Sequence, residues 1–270
     1  MRHLLKNLLF PLCIPFFLVC ACRTVPQPPT PTPTQQNTIF YPDSTSLQKI
    51  EQHISQPQTK KRKLIALTFD DAPLKTLENI LAVFASYNEQ NPDCPATATV
   101  FFNGKNLTST QLPLLQTAYA MGFELGNHTA THANLNTLTP MQIKKEIDAV
   151  DEILCKIDNQ PHHLFRAPFG LVNADVKQAV HTPIIDWTID TRDWTGVSEK
   201  EIISSVLDEK FDGAIALLHD GYTPTVSALK TILPALKADG YQAVTISQMA
   251  TLNGVTMQKG SVYIRLRPQQ

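Results

Sequence analysis

The chain has 270 residues, 43% of them hydrophobic, and its 23 basic and 24 acidic side chains leave a net charge of −1. Length and apolar share support one globular domain of ordinary size. With no acidic tail and only one short basic run, Lys60-Lys61-Arg62-Lys63, read as a solvated lead-in to the first strand, nothing points to a nucleic-acid-binding surface, so the expected partners are small or neutral and no protein partner is indicated.

At the N-terminus Arg2, His3 and Lys6 precede an apolar run from Leu8 to Ala21, interrupted by Pro11 and Pro15. Positive charge followed by a short apolar stretch is the order of a secretory signal, and the run is too short and too Pro-broken for a membrane span. It closes on Val19-Cys20-Ala21-Cys22, which resembles the bacterial lipobox. Residues 1–21 are therefore read as a lipoprotein-type signal peptide and Cys22 as the lipidated mature N-terminus. A plain cleaved signal is the alternative. Arg23, standing where an Asp would favour inner-membrane retention, points to the outer membrane if the host is diderm. The expected location is the cell envelope, reached by export and held by a membrane anchor. After cleavage, besides the lipidated Cys22, only Cys94 and Cys155 remain. An even pair in an oxidising compartment permits a disulfide and equally permits two buried thiols.

Residues 22–60 form a tether and lead-in. Pro26, Pro28, Pro29, Pro31 and Pro33 recur in a Thr/Gln-rich stretch with almost nothing to bury, which keeps such a segment extended. Ser46 to Ser55 is read as a short helix. From residue 61 strand and helix alternate. Leu64–Phe69 reads as a buried strand, followed by an amphipathic helix over Leu74–Asn88 with Leu77, Ile80, Leu81 and Phe84 on one face. Strand Ala98–Phe102, helix Ser109–Ala120 and strand Phe123–Gly126 follow. A long helix spans Pro140–Ile157, with Thr139 as cap and Pro140 in its first turn. Further strands are expected at Leu164–Arg166, Ile184–Trp187, Ala214–Leu218 and Tyr241–Thr245. Further helices are expected at Asn173–Val180, Ser198–Glu209, Val226–Ala238 and Gln248–Leu252. About seven alternations predict a parallel α/β fold, a distorted (β/α)7 TIM-like barrel forming one domain over residues 61–252. Residues 253–270 are an extension whose alternating run Ser261–Leu266 is a candidate edge strand.

Polar clusters fall where strands end. Leu64–Phe69 runs into Asp70-Asp71, then Ala72-Pro73. Neighbouring strand residues face opposite ways, so both acids can serve one site only if the chain leaves the strand there. Alone, the pair is equally a helix cap beside a solvated acid. His128 and His132, after the third strand, have the i, i+4 spacing that lets two imidazoles share a metal. The Glu of an HExxH helix is missing, which disfavours a zincin protease. Arg166-Ala167-Pro168-Phe169-Gly170, Asp190-Thr191-Arg192-Asp193-Trp194 and Leu217-Leu218-His219-Asp220 complete the set. Each alone is ordinarily structural, but a parallel barrel would bring all five to one rim.

Thr-Phe-Asp-Asp, His-Thr-x-x-His, Arg-x-Pro-Phe-Gly, Asp-Trp and Leu-x-His, in this order across residues 64 to 250, resemble the polysaccharide deacetylase family, the NodB-homology domain of carbohydrate esterase family 4. The resemblance implies that Asp71, His128 and His132 bind a divalent metal, zinc first, with cobalt or nickel as alternatives. It implies Asp70 as catalytic base, oriented by Arg166, and His219 as catalytic acid, held charged by Asp193. Phe169 would offer a backbone N–H to the oxyanion, and Pro168, Trp194 and Leu217 would line the acetyl pocket. The family usually has Gly at position 72 and often Tyr at 169. Ala72 is then tolerable only at negative φ, and Phe169 loses only a phenol. His162 and His163 are read as surface or core histidines. The implied activity is metal-dependent removal of N-acetyl groups from an envelope glycan such as peptidoglycan, poly-N-acetylglucosamine or chitooligosaccharide. An O-acetyl esterase acting on xylan and a non-catalytic glycan-binding module are the alternatives.

Overall fold

A computed structural model describes residues 62–108 and 111–268. The signal, Cys22, the tether and the helix expected over Ser46 to Ser55 lie outside the described residues. No described helix is long and apolar enough to cross a membrane.

The core is a parallel sheet built on β1 (Lys63–Ala72), every residue of which from Leu64 to Asp70 is buried. β2 (Thr99–Phe102) and β3 (Glu124–Asn127) extend it on one side, and β6 (Ala214–His219) followed by β5 (Ile189–Asp190) on the other. β7 (Tyr241–Ala243) pairs with the first residues of β1, beside the stretch that β2 occupies further along. Single bridges at Phe165 join Asn127 to Ile184 of β4 (Ile184–Ile185). The result is a distorted parallel barrel. Its strands carry near-continuous apolar runs because they are covered on both faces.

Helices α1 (Leu77–Gln90), α2 (Leu112–Ala120), α3 (Pro140–Asp158), α4 (Ala174–Ala179), α5 (Glu199–Glu209), α6 (Thr223–Ala238) and α7 (Ile246–Leu252) surround it. In α1 the expected stripe Leu77, Ile80, Leu81 and Phe84 is buried, joined by Tyr87. α3 begins in the expected way: Thr139 accepts from the Gln142 amide in a reciprocal capping box, with Pro140 as its first residue. Such a cap is worth about 1 kcal/mol.

Three expected strands need correction, and one strand was not expected. Leu164–Arg166 is not a strand but a one-residue bridge at Phe165, the Arg166 carbonyl turning to the His128 ring instead of continuing a ladder. Ile184–Trp187 shortens to two residues, and Tyr241–Thr245 ends at Ala243 because Thr245 caps α7. β5 carries no apolar run long enough to read, yet it pairs in parallel with β6. The C-terminal extension contributes β8 (Val262–Tyr263), parallel to β4, and an antiparallel bridge from Arg265 to Ala214. Leu266 is 1% exposed and packs among Leu64, Ile215 and Val244. Its carbonyl would lie 2.4 Å from a Cβ at residue 213, where φ is +91°, so only glycine serves there. The extension therefore plugs the barrel end opposite the rim. Cys94 and Cys155 are both free thiols.

Candidate active site

β1 does not continue straight through its two acids. Its pairing with β2 shifts register between Phe69 and Ala72, and Asp71 takes φ +63°. This is a β-bulge, which breaks alternation and lets consecutive side chains face one side. The strain falls on Asp71, a residue type that tolerates the left-handed region, while Ala72 is not among the positive-φ residues.

Asp71, His128 and His132 meet: one ligand atom from each lies within 4.8 Å of the others. His132 Nε2 is 3.5 Å and His128 Nε2 3.9 Å from Asp71 Oδ1. His132 follows a short loop rather than a helical turn, with Thr129 and His132 both at positive φ. The histidines thus share a face by loop geometry, not by the i, i+4 helical rule. His128 Nδ1 lies 2.8 Å from the Arg166 carbonyl. A carbonyl only accepts, so Nδ1 donates to it and Nε2 faces both acids, Asp70 Oδ2 at 3.6 Å and Asp71 Oδ1 at 3.9 Å, the orientation of a metal-ligating histidine. Burial and the nearby His128 hold His132 below the ordinary imidazole range, which keeps it available as a neutral ligand. The donor set of two imidazoles and one carboxylate fits a divalent cation with positions left for water or substrate.

Asp70 is 4% exposed. Arg166 Nη1 donates to Asp70 Oδ1 at 2.7 Å and to Thr68 Oγ1 at 2.7 Å, Thr68 and Asp70 sharing one face of β1. Burial opposes ionisation of Asp70, but the Arg166 guanidinium, with His128 and His219, outweighs it and holds the carboxyl below its usual range. Arg166 is itself fixed by the Ile185 and Asp186 carbonyls and lies over the Phe101 ring.

On the neighbouring strand, Asp70 and His219 are register partners. His219 Nδ1 meets Asp193 Oδ1 at 2.7 Å, and its backbone N–H donates to Asp193 Oδ2 at 2.8 Å. Burial works against the imidazolium, but the hydrogen bond to Asp193 and the charges of Asp70, Asp193 and Asp71 raise the His219 pKa. Thr225, in the first turn of α6, donates to Asp193 Oδ2 at 2.7 Å. Nothing in the sequence marks Thr225, since a Thr early in a helix carries no signal of a partner 32 residues away. Leu217 shares the His219 face of β6 and is buried. Trp194 and Phe169 are exposed at 55% and 61%, Pro168 is buried, and the Phe169 ring stands edge-on to His132 at 4.8 Å. Asp70, Asp71, His128, His132, Arg166, Asp193 and His219 therefore gather at one end of the barrel.

An α/β barrel with paired acids, two imidazoles and a charged His–Asp couple at its strand ends defines a hydrolase. The family model described as Polysaccharide deacetylase matches residues 57–182. A bifunctional xylanase/deacetylase of Pseudobutyrivibrio xylanivorans is 35% identical over 73% of this chain and 32% of its own length. The peptidoglycan-N-acetylglucosamine deacetylase PgdA of Listeria monocytogenes is 29% identical over 84% of this chain and 45% of its own. A chitooligosaccharide deacetylase of Bradyrhizobium sp. is 31% identical over 68% of this chain and 90% of its own. The chain thus spans about a third to under a half of the first two relatives and nearly all of the third. Among solved structures, the Xyl-CE4 domain of a multidomain xylanase from the hindgut metagenome of Trinervitermes trinervoides superposes with TM-score 0.71 at 30% identity, covering 77% of this chain and all of that one. A family 4 acetyl xylan esterase from Clostridium thermocellum with a cobalt ion gives 0.69 at 27% identity, covering 76% of this chain and 99% of that one. The chain belongs to the polysaccharide deacetylase family.

Proposed function

We propose that this chain removes N-acetyl groups from a glycan of the bacterial envelope, peptidoglycan or a poly-N-acetylglucosamine, from a lipid anchor at Cys22. The observation that carries the chemistry is the meeting of Asp71, His128 and His132 beside a buried, charged Asp70 and a His219–Asp193 couple. Those three ligands would hold zinc, or cobalt or nickel. A cation held there would lower the pKa of a bound water to about 7 and would polarise the acetyl carbonyl.

Asp70 takes the proton of the attacking water, its carboxylate aimed by Arg166 and unable to rotate away. The Phe169 backbone N–H faces the carbonyl oxygen as negative charge gathers on it. His219 gives its proton to the departing amine, and Asp193 stabilises the imidazolium until that moment. An amide needs this acid because a free amide anion is a very poor leaving group. Pro168 and Leu217 close around the acetyl methyl, whereas Trp194, 55% exposed and so not enclosed with them as the resemblance implied, offers an apolar face to the sugar. The chain's own residues thus place one proton acceptor and one proton donor on adjacent strands.

Similarity to a xylanase/deacetylase and to an acetyl xylan esterase favours a second reading, hydrolysis of O-acetyl esters, for which His219 would be less needed. Acetate release from whole sacculi, chitooligosaccharide and acetylxylan separates the readings. Metal-dependent release from the amino-sugar substrates supports the proposal, and release from acetylxylan alone supports the esterase. A metal-loaded protein that frees acetate from none of them supports the glycan-binding alternative.

A further inference from the structure

Behind the two histidine ligands lies a buried polar chain that the chemistry above does not use. Asn127 is fully buried and immediately precedes His128. Its side-chain carbonyl accepts the Thr129 backbone N–H at 3.0 Å. Thr129 Oγ1 in turn accepts the His132 backbone N–H at 3.1 Å. The Asn127 amide therefore sets the strained backbone that carries both imidazoles. Its NH2 donates to the Ile147 carbonyl at 2.8 Å and to Asp151 Oδ1 at 2.9 Å, both on α3.

Asp151 is buried in its turn, and His163 Nδ1 approaches the same Oδ1 at 2.9 Å. The other ring nitrogen of His163 faces Asp158, at 3.1 and 3.2 Å from its two oxygens. A histidine with a carboxylate at each nitrogen satisfies both only as an imidazolium, since the neutral ring has one donor. His162 Nδ1 reaches Asp151 Oδ2 at 3.3 Å and stacks on His181, whose neighbour Thr182 donates to the His163 carbonyl. Burial opposes charging of His163, and the Asp151 and Asp158 carboxylates outweigh it and raise its pKa.

We infer that Asp151 and His163 are positioning residues for the metal loop: His163 fixes Asp151, Asp151 fixes Asn127, and Asn127 fixes the loop bearing His128 and His132. The inference rests on the reading that those histidines hold a cation. Outer partners that orient metal ligands commonly change affinity 10–100-fold when lost.

Two measurements test it on the purified full-length chain. Co2+ titration by its visible absorption gives the dissociation constant for the wild type, His163→Leu and His163→Gln, with circular dichroism to confirm folding. His163→Leu is expected to weaken Co2+ at least about tenfold, and His163→Gln, which keeps a donor toward Asp151, to recover most of that loss. A folded His163→Leu protein binding within about twofold of wild type overturns the inference. Nitrogen NMR shifts of histidine in the wild type guard against a variant that fails to fold. At pH 6.5, where an ordinary imidazole is half charged, His163 is expected to be mainly doubly protonated, and a mainly neutral ring overturns the inference. A wild type that binds no Co2+ overturns the metal reading itself, and this inference with it.

Discussion

The two halves of the site solve the same problem with opposite signs. On β1 a carboxylate is buried and kept negative by a guanidinium, and on β6 an imidazole is buried and kept positive by a carboxylate. Asp70 and its partner Arg166 have side chains 5% and 1% exposed, while His219 and Asp193 stand at 13% and 0%. Each working group is thus slightly more open than the group that charges it, which keeps the partner from reaching substrate. The pKa values of the two working groups move apart, Asp70 down and His219 up, the pattern that assigns base and acid in hydrolytic sites. The halves differ in how they are held. Arg166 is tied to Thr68, Ile185, Asp186 and Asp70 at once, whereas Asp193 depends on His219 and Thr225.

The largest blow to this pairing comes from Arg166→Met. It leaves a buried carboxylate unpaired, at a cost of about 3–5 kcal/mol, read as a lowered midpoint in denaturant unfolding. Turnover is expected to fall with it. An unchanged midpoint would show that the base half is not held by charge.

On the acid half, Asp193→Asn is expected to reduce kcat by about a hundredfold on an amide substrate. The sign of its pH effect follows from the raised His219 pKa. The acid must be protonated to act, so activity falls as pH rises through that pKa. Without the Asp193 charge the pKa drops, and the alkaline limb of the pH–rate profile moves to lower pH. A profile that stays in place would remove His219 from the acid role. Thr225→Val is expected to move the same limb by less and in the opposite direction, because it removes a donor that draws negative charge from the carboxylate facing His219. The smallest effect is assigned to Trp194→Ala: an exposed side chain touching sugar should raise KM by about tenfold or less and leave kcat near its original value. A fall in kcat alone would place Trp194 nearer the reacting atoms.

Much of this is legible in the sequence alone, because strand ends announce themselves. Asp70, His128, Arg166 and His219 each follow an apolar run or its last residue, and the parallel topology then delivers them to one rim. What could not be read is local backbone geometry. The bulge that turns Asp71 beside Asp70 leaves only Pro73 as a trace, and β5 is two residues long. Nor does periodicity reveal partners distant in the chain, such as Thr225 for Asp193 or Asp151 for Asn127. His163 read as an ordinary histidine because nothing in the sequence places Asp151 and Asp158 on either side of its ring. The C-terminal run was visible as alternation, but its plugging role depended on where Gly213 and Leu266 meet.

The central claim is that one cation is gripped by Asp71, His128 and His132 while Asp70 stays outside the grip as the base. Metal content and acetate release measured together on Asp70→Asn and His128→Ala test it most directly. The account predicts that Asp70→Asn keeps its metal and frees no acetate, and that His128→Ala loses both. An Asp70→Asn protein that still frees acetate at near wild-type rate, or a His128→Ala protein that keeps its metal and its turnover, would contradict it.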